Sequence, residues 1–154
     1  MAGTVITVTS AKGGAGKTTV ATSLAAIYSK LHFKTLVIDA DLQMGAVALN
    51  LNVAPIDTIL DYTKGGLTTG TSQLSDHVLS TGSGFDILAA PKNPIAAKRI
   101  KAKHIESIVY EARQDYDIVI LDTTHILTDA KLAALDSSDV IVNLVSSEQQ
   151  SVKN

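Results

Sequence analysis

Residues 9–19 read Thr-Ser-Ala-Lys-Gly-Gly-Ala-Gly-Lys-Thr-Thr, and they set the expectation for how the rest of the chain folds. A β-branched apolar run, residues 4–8, precedes this stretch, and a helix-period run begins at Thr18. The stretch is therefore predicted to be the turn between a strand and a helix. Its glycines allow the backbone to approach a polyphosphate closely, and its N–H groups and the positive end of the helix favour a bound anion. The sequence thus predicts a phosphate-binding loop.

The end of this loop carries side chains expected to hold a nucleotide and a metal ion. Lys17 is placed for the β- and γ-phosphates, and the Thr18 hydroxyl is placed for Mg²⁺. The usual pattern, GxxxxGK[ST], begins with glycine where this chain has Ala11, and a second lysine, Lys12, stands five residues before Lys17. We therefore expect a nucleotide polyphosphate and Mg²⁺ as ligands, with the nucleotide held by Gly13, Gly14, Ala15, Gly16, Lys17, Thr18 and Thr19.

With a lysine on each side of its glycines, the loop resembles the deviant Walker A motif of MinD/ParA-type ATPases, in which the extra lysine is the signature residue. The resemblance implies a Mg²⁺-dependent ATPase with slow turnover. It also implies a homodimer that forms on ATP, in which Lys12 of one subunit reaches the phosphates bound by the other. Lys12 and Lys17 are thus expected to be catalytic. A chance glycine-rich turn is the alternative, and the strand–turn–helix setting argues against it.

Two carboxylates follow the next predicted strand. Residues 34–39 form an apolar run that ends on Asp39, and Asp41 comes two residues later. Open α/β sheets bind ligands at the carboxyl ends of their strands, and a solvated loop is the alternative for such a pair. Residues 39–45 resemble switch I of the same family, which implies that Asp39 lies in the Mg²⁺ shell. The same resemblance implies that Asp41 orients the attacking water, a role that fits phosphoryl transfer, which depends on positioning and charge stabilisation.

A third carboxylate ends another apolar run. Residues 117–122 read Asp-Ile-Val-Ile-Leu-Asp, the form of a Walker B strand, in which Asp122 would face Mg²⁺ through water. Members of the family usually have proline where this chain has Thr124. The segment that follows Asp122 resembles the CpaE/TadZ branch, the pilus-localisation relatives. His125 is interpreted either as a signalling or dimer-contact residue or as a loop residue with a hydrogen-bond partner.

The composition excludes several classes of protein. The chain has 154 residues, of which 45% are hydrophobic and 18% charged, so it is predicted to be one globular domain. The net charge of −2 indicates no strong attraction to nucleic acid or to an anionic membrane. The absence of cysteine excludes disulfides and the iron–sulfur relatives of this ATPase class. No apolar stretch approaches the ~20 residues of a membrane span. We expect a cytoplasmic protein, with recruitment to a pole or a membrane-associated complex.

The alternation of apolar strands with helical runs predicts an α/β fold, with a mainly parallel sheet and helices on both faces. The resemblance implies the strand order 3-2-4-1-5 for a P-loop domain, residues 1–154, that lacks the family's C-terminal strands and leaves the last strand exposed. The first helix is expected to bury Val20, Leu24, Ile27 and Leu31. The predicted strands are 4–8, 34–39, 85–90, 117–122 and 140–145; a helix is predicted at 95–113, short helical pieces at 46–62 and 74–79, loops at 63–72 and 82–84, and a helix start at 146–154.

The predicted function is that of a switch ATPase, which binds ATP, hydrolyses it slowly and dimerises to position a partner such as a pilus or secretion apparatus. The alternatives are a nucleotide-binding localisation scaffold with little or no hydrolysis, a ParA-like DNA-partitioning ATPase, and a group-transfer enzyme. Nucleic acid is not expected as a partner, because the basic cluster does not form one stripe at helical spacing. That cluster comprises Lys92, Lys98, Arg99, Lys101 and Lys103.

Overall fold

The computed structural model describes residues 2–14, 16–64 and 73–145. The predictions for Ala15, for residues 65–72 and for the helix start at 146–154 lie outside these ranges. The strands within them are β1 (Thr4–Ser10), β2 (Thr35–Ala40), β3 (Leu79–Ser80), β4 (Asp86–Leu88), β5 (Ile118–Thr123) and β6 (Val140–Leu144). The α-helices there are α1 (Lys17–Lys30), α2 (Val47–Asn50), α3 (Ile59–Lys64), α4 (Pro94–Ala97), α5 (Ala102–Asp115) and α6 (Asp129–Asp136), and a 3₁₀ helix spans Leu74–Asp76.

One sheet contains the described strands, in the order β3-β4-β2-β5-β1-β6. The five predicted strands lie in the predicted order and pair in parallel, so both expectations are confirmed. The sequence does not predict β3, which pairs antiparallel with β4. The predicted helix at 74–79 is wrong in its second half. The His77 N–H donates to the Leu74 carbonyl at 3.0 Å, and the chain then extends to place Leu79 opposite Ile87.

Helices cover both faces of the sheet, as predicted. Successive side chains of a strand point to opposite faces, so each central strand contributes to two apolar layers. Leu36 and Val119 belong to the layer under α5 and α6, and Val37 and Ile120 belong to the layer under α1. Continuous apolar runs such as β2 and β5 are typical of parallel strands buried on both sides. Among the helices in the described ranges, none is long and apolar enough to cross a membrane.

The buried face of α1 differs from the predicted one. Ile27 and Leu31 are 54% and 60% exposed, and the other two predicted positions are only partly buried. Ala21 and Ala25 face the sheet instead and are fully buried. Their small side chains let the helix backbone pack close to the strands. Apolar periodicity gives most weight to large residues. Here the predicted buried face is rotated about the helix axis by about 100° from the observed one, which corresponds to a shift of one residue.

The predicted helix at 95–113 is wrong at residues 98–101, where the segment is divided into α4 and α5. Asn93 Oδ1 accepts from the Ile95 N–H at 2.9 Å and begins α4. The Lys101 N–H donates to His104 Nδ1 at 2.9 Å and begins α5. The predicted buried face in the second half is confirmed, since α5 buries Ile105, Ile108, Val109 and Ala112.

The last described strand is an exposed edge. Within the described residues β6 pairs with β1 and with no other strand. Val140 and Ile141 are 46% and 51% exposed. The expectation of an exposed edge is therefore confirmed for the part of the chain that the structure describes.

Candidate nucleotide-binding site

The carboxyl ends of β1, β2 and β5 bring the predicted site residues together. β2 and β5 pair so that Asp39 lies opposite Asp122. β1 pairs with the other side of β5, where Val8 lies opposite Asp122. β1 continues to Ser10 and leads directly into the glycine-rich loop. The loop and the buried carboxylates therefore share one end of the sheet, which is where open α/β folds bind ligands.

The glycine-rich loop has a backbone that requires glycine at two positions. Gly14 and Gly16 have φ angles of 73° and 88°, in the left-handed region that other residues rarely adopt. Among the described residues other than the chain neighbours of each glycine, no atom lies within 4 Å of the place where a Cβ would stand. α1 begins at Lys17, so the N–H groups of its first turn are next to this open side of the loop. The geometry fits a loop that binds phosphates through its backbone.

Lys17 is held beneath the loop by a serine. Lys17 is 8% exposed, and its Nζ donates to Ser10 Oγ at 3.0 Å. Ser10 Oγ in turn donates to the Lys12 carbonyl at 2.6 Å. Lys12 and Thr19 are exposed. The sequence analysis missed Ser10, although a hydroxyl residue at the last strand position before a glycine-rich loop is a usable signal.

Asp122 and Thr18 form the closest polar contact between the two predicted motifs. Thr18 Oγ1 donates to Asp122 Oδ2 at 2.6 Å. Asp122 is 1% exposed, and its second oxygen, Oδ1, is buried without a hydrogen-bond partner among the described residues. Such an unsatisfied buried acceptor is costly and calls for a ligand or water. The pair fits a Mg²⁺ site in which Thr18 supplies a hydroxyl ligand and Asp122 holds a metal-bound water.

Asp39 is also buried, and its charge is disfavoured. Its Oδ1 accepts from the Asp41 N–H at 3.3 Å, and its Oδ2 accepts from the Val47 N–H at 3.1 Å. Burial, with smaller contributions from the negative charges of Asp122 and Asp41, raises the pKa of Asp39 to about 8, although the Val47 hydrogen bond opposes the rise. Burial likewise raises the pKa of Asp122 to about 6. A divalent cation would offset the repulsion between these neighbouring carboxylates.

The protein groups by themselves do not form a complete metal site. Within the described ranges, no three acidic or histidine side chains are placed to ligate one ion. This fits Mg²⁺, which usually takes one or two carboxylates together with waters and substrate phosphates. The candidate metal site is thus expected to depend on the nucleotide for its remaining ligands.

The segment that carries Asp41 is fixed against the sheet. Asp41 is partly buried, and its Oδ1 accepts from the Met44 N–H at 3.3 Å. Gly45 has a φ of 43°, and a Cβ there would stand 3.0 Å from the Ala90 Cβ. A glycine is therefore required where this segment passes close to the end of β4. The result is a short, restrained loop that carries Asp41 beside Asp39.

His125 connects the segment after β5 with the glycine-rich loop. A Cβ on Gly13 would lie 3.2 Å from His125 Cε1, so the imidazole ring packs against the loop backbone. Within the described residues the His125 ring has no hydrogen bond, and both interpretations of this residue stay predictions. Thr124 Oγ1 accepts from the Ile126 N–H at 3.1 Å and turns the chain locally.

The sequence analysis also missed a buried lysine. Lys131, in the first turn of α6, is 7% exposed. Its side chain forms no ion pair or hydrogen bond within the described residues. Burial and the positive charge of Lys17 lower the pKa of Lys131. Its position in the helix could have indicated this burial, because Lys131 lies on the same face as Ala130, Ala133 and Ala134, which are all buried.

Replacing this lysine is expected to stabilise the nucleotide-free chain. Lys131→Met keeps the length of the side chain and removes a buried charge that has no acidic partner among the described residues. We expect the free energy of unfolding to rise by roughly 1–3 kcal/mol, the cost of an uncompensated buried polar group. Urea denaturation measures this change. Lys30→Met, at the exposed end of α1, is the matched control and should leave stability unchanged. A loss of stability in Lys131→Met would contradict the prediction.

Comparison with known proteins connects this geometry to a family. The family model AAA_31, an AAA domain, matches residues 3–153. A ParA family protein of Mycoplasma pneumoniae is 32% identical over an alignment of 154 residues. The alignment covers 90% of this chain and 56% of that protein. The solved ParA family ATPase of Chlorobium tepidum has a TM-score of 0.86 at 21% identity and covers 99% of this chain and 64% of that one. MinD of Pyrococcus horikoshii, solved with Mg-ADP, has a TM-score of 0.81 at 23% identity. The match covers 96% of this chain and 59% of that one.

The solved structures confirm the predicted fold class, and at these identities their likeness concerns the fold alone. The chain spans little more than half the length of the ParA family relative and less than two thirds of each of the two solved chains. The family model, in contrast, matches nearly all of the chain. The chain therefore belongs to the AAA_31 family, and its relatives and fold are those of MinD/ParA-type P-loop ATPases.

Proposed function

We propose that this chain is an ATP-binding switch ATPase of the deviant Walker A type, which hydrolyses ATP slowly and dimerises on ATP to position a protein partner. The observation that carries the proposal is the buried Oδ1 of Asp122 beside Thr18, which has no hydrogen-bond partner among the described residues, at the end of an open glycine-rich loop. The likeness of the segment after Asp122 to the CpaE/TadZ branch supports a pilus or secretion apparatus as the partner. It also supports a cytoplasmic protein recruited to a pole or a membrane-associated complex.

In this proposal the loop and its lysine bind the phosphates. The backbone N–H groups of residues 13–19, including Ala15 and Thr19, surround the phosphate chain, and the left-handed Gly14 and Gly16 give it room. Lys17 needs only to leave Ser10 to reach the β- and γ-phosphates. Thr18, Asp39 and Asp122 hold Mg²⁺, directly or through water. Bound Mg²⁺ neutralises the charge that develops on the phosphate oxygens.

Two residues are proposed to act on the γ-phosphate. Asp41 orients the attacking water, because its restrained loop places it beside Asp39 at the mouth of the site. Lys12 is exposed and is proposed to reach the nucleotide of the second subunit, which places a positive charge where negative charge develops. The dimer is thus expected to be the hydrolytic form.

The test combines binding, turnover and size. Wild type should bind Mg-ATP, become a dimer by light scattering only with ATP, and hydrolyse slowly. Lys12→Ala should keep Mg-ATP binding and lose about 100-fold or more in turnover, the usual cost of removing one preorganised charge donor. Lys64→Ala, an exposed lysine far along the chain, is the control and should behave as wild type. Wild type that fails to bind Mg-ATP would refute the proposal.

A second candidate is a nucleotide-binding localisation scaffold that hardly hydrolyses. The specific observation in its favour is Thr124, whose side chain turns the segment after β5 by a hydrogen bond where the family usually has a rigid proline. Asp41→Ala separates the two candidates. A switch ATPase loses its turnover in this variant, whereas a scaffold shows the same negligible ATP consumption with and without Asp41.

DNA partitioning has weaker support. Lys98, Lys101 and Lys103 line one cavity, and the net charge of −2 gives no strong attraction of the whole chain to nucleic acid. Nucleic acid is accordingly not proposed as a partner.

A further inference from the structure

A cavity lies beside the candidate nucleotide site, at the same end of the sheet. It has a volume of about 540 Å³ and is formed by three segments, residues 40–43 after β2, residues 97–103 between α4 and α5, and residues 124–130 after β5. We call it the lysine-rimmed cavity. The cavity exists because the predicted helix at 95–113 is interrupted. Residues 98–101 are not helical, and Ile100 lies in the wall of the cavity.

The lining combines apolar surface with positive charge. Leu42, Ile100 and Ile126 provide large apolar side chains, and Ile126 is 51% exposed in spite of this position. Lys98, Lys101 and Lys103 also line the cavity, against two carboxylates, Asp41 and Asp129. None of the three lysines forms an ion pair within the described residues. The cavity therefore offers to the same ligand an apolar wall and a lining with three lysines against two carboxylates, an excess of one positive charge.

We propose that the lysine-rimmed cavity binds a small organic anion, with its apolar body against Leu42 and Ile126 and its acidic group at Lys98 and Lys101. The volume lies within the roughly 300–1,000 Å³ typical of small-molecule sites, which are mostly apolar with a few convergent polar groups. Either a carboxylate or a phosphate can pair with the lysines, because an ammonium group acts as a point charge and does not select the shape of the anion. This binding does not require a nucleotide and goes beyond the proposed function.

The cavity shares a wall with the candidate nucleotide site. Asp41 lines the cavity, and its N–H donates to the metal-site residue Asp39. Thr124, two residues after Asp122, also lines it. A ligand in the cavity is therefore coupled to the nucleotide, and by linkage the nucleotide changes the affinity of that ligand by the same factor. This coupling, unlike the binding, rests on the proposed function.

The test uses two matched dyes on the nucleotide-free chain. 8-Anilinonaphthalene-1-sulfonate carries an apolar ring system and an anionic group, and N-phenyl-1-naphthylamine carries the same rings without the charge. The sulfonate dye is expected to bind saturably and more tightly than the uncharged dye. Lys98→Gln and Lys101→Gln should each weaken the sulfonate dye about threefold, the effect of one partly screened charge, and leave the uncharged dye unchanged. Lys30→Gln, at the opposite end of the fold, is the control.

A second variant tests the location of the dye. Ala102→Trp fills the cavity from the start of α5 and should weaken both dyes about tenfold or more. Ser23→Trp, at an exposed position of α1, should weaken neither. Equal binding in wild type and Ala102→Trp, or a lysine effect of the same size on the uncharged dye, would overturn the proposal. Competition by phenyl phosphate or by 4-phenylbutyrate shows which acidic group is preferred, and failure of both to compete would also overturn it.

A final titration tests the coupling separately. Saturating Mg-ADP should change the affinity of the sulfonate dye about threefold or more, because Asp41 belongs to both sites. Mg-ADP that binds without this change refutes the coupling and leaves the cavity site standing. A chain that does not bind Mg-ADP refutes the proposed function, while the dye titrations still decide whether the cavity binds anions.

Discussion

Asp39→Asn is expected to make the nucleotide-free chain more stable at pH 8 and to have no such effect at pH 4. The pKa of Asp39 is raised from 3.8 to about 8 in the folded chain, chiefly by burial. Between these values the folded chain holds a proton that the unfolded chain releases, so stability falls as pH rises from 4 to 8. Asparagine does not ionise. Its amide oxygen still accepts from the Val47 N–H, and only the longer bond, 3.3 Å from the Asp41 N–H, is lost. The gain at pH 8 should be roughly 3 kcal/mol or more.

Urea denaturation at pH 4, 6 and 8 measures this difference. Asp122, whose pKa is raised to about 6, titrates in both proteins, so the comparison reports Asp39 together with its repulsion from Asp122. Asp136→Asn, an exposed carboxylate at the end of α6, is the control and should be flat across the range. With saturating Mg-ADP the order should reverse at pH 8, because the variant loses a proposed Mg²⁺ ligand. An Asn variant less stable than wild type at pH 8 without nucleotide would contradict the prediction.

Lys17→Met is expected to weaken Mg-ATP and Mg-ADP binding about 100-fold or more. Removing one member of a desolvated charge pair costs roughly 2–5 kcal/mol, and 1.4 kcal/mol corresponds to a factor of ten. Lys17, the first residue of α1, is already buried, with its Nζ 3.0 Å from the Oγ of Ser10 at the end of β1, so it has little solvation left to lose when it binds phosphate. Methionine keeps the length of the side chain and creates no cavity.

Isothermal titration calorimetry measures both affinities, and Lys30→Met is the matched control for a lysine of the same helix. Ser10→Ala shows how much of the effect comes from the charge of Lys17 and how much from the position of its side chain. It removes the group that holds Lys17 beneath the loop, and we expect it to change the affinity by less than about tenfold. Affinity of Lys17→Met within about threefold of wild type would show that the loop backbone alone binds the phosphates, and would contradict the role proposed for Lys17.

The sequence predicts those parts of the fold that a short, continuous stretch of residues specifies. An apolar run ending on Asp122, or a glycine-rich turn followed by a helical pattern, needs no tertiary information to recognise. The sequence does not predict the break at residues 98–101, because lysine and arginine are good helix formers and the signal is a single hydrogen bond from the Lys101 N–H to His104 Nδ1. β3 is two residues long and exists only through its pairing with β4.

The parts of the candidate site that were missed depend on burial. Lys131 is an ordinary helical lysine in sequence, and only the packing of α6 against the sheet makes it a buried charge. The same holds for α1, where Ala21 and Ala25 face the sheet although Ile27 and Leu31 are more apolar. Sequence patterns report the preference of each side chain, whereas close approach of the backbone decides which side chains are inside.

The exposed edge at β6 has a consequence for colloidal behaviour. Natural edge strands are usually protected by lysine, proline or a bulge. β6 reads Val-Ile-Val-Asn-Leu and carries no charge, whereas at the opposite edge of the described sheet β3 ends on Ser80, bonded to Asp86. With a net charge of −2 and an isoelectric point near 6.0, the chain has little long-range repulsion in mildly acidic buffer. Precipitation should therefore begin at β6 and be most rapid near pH 6.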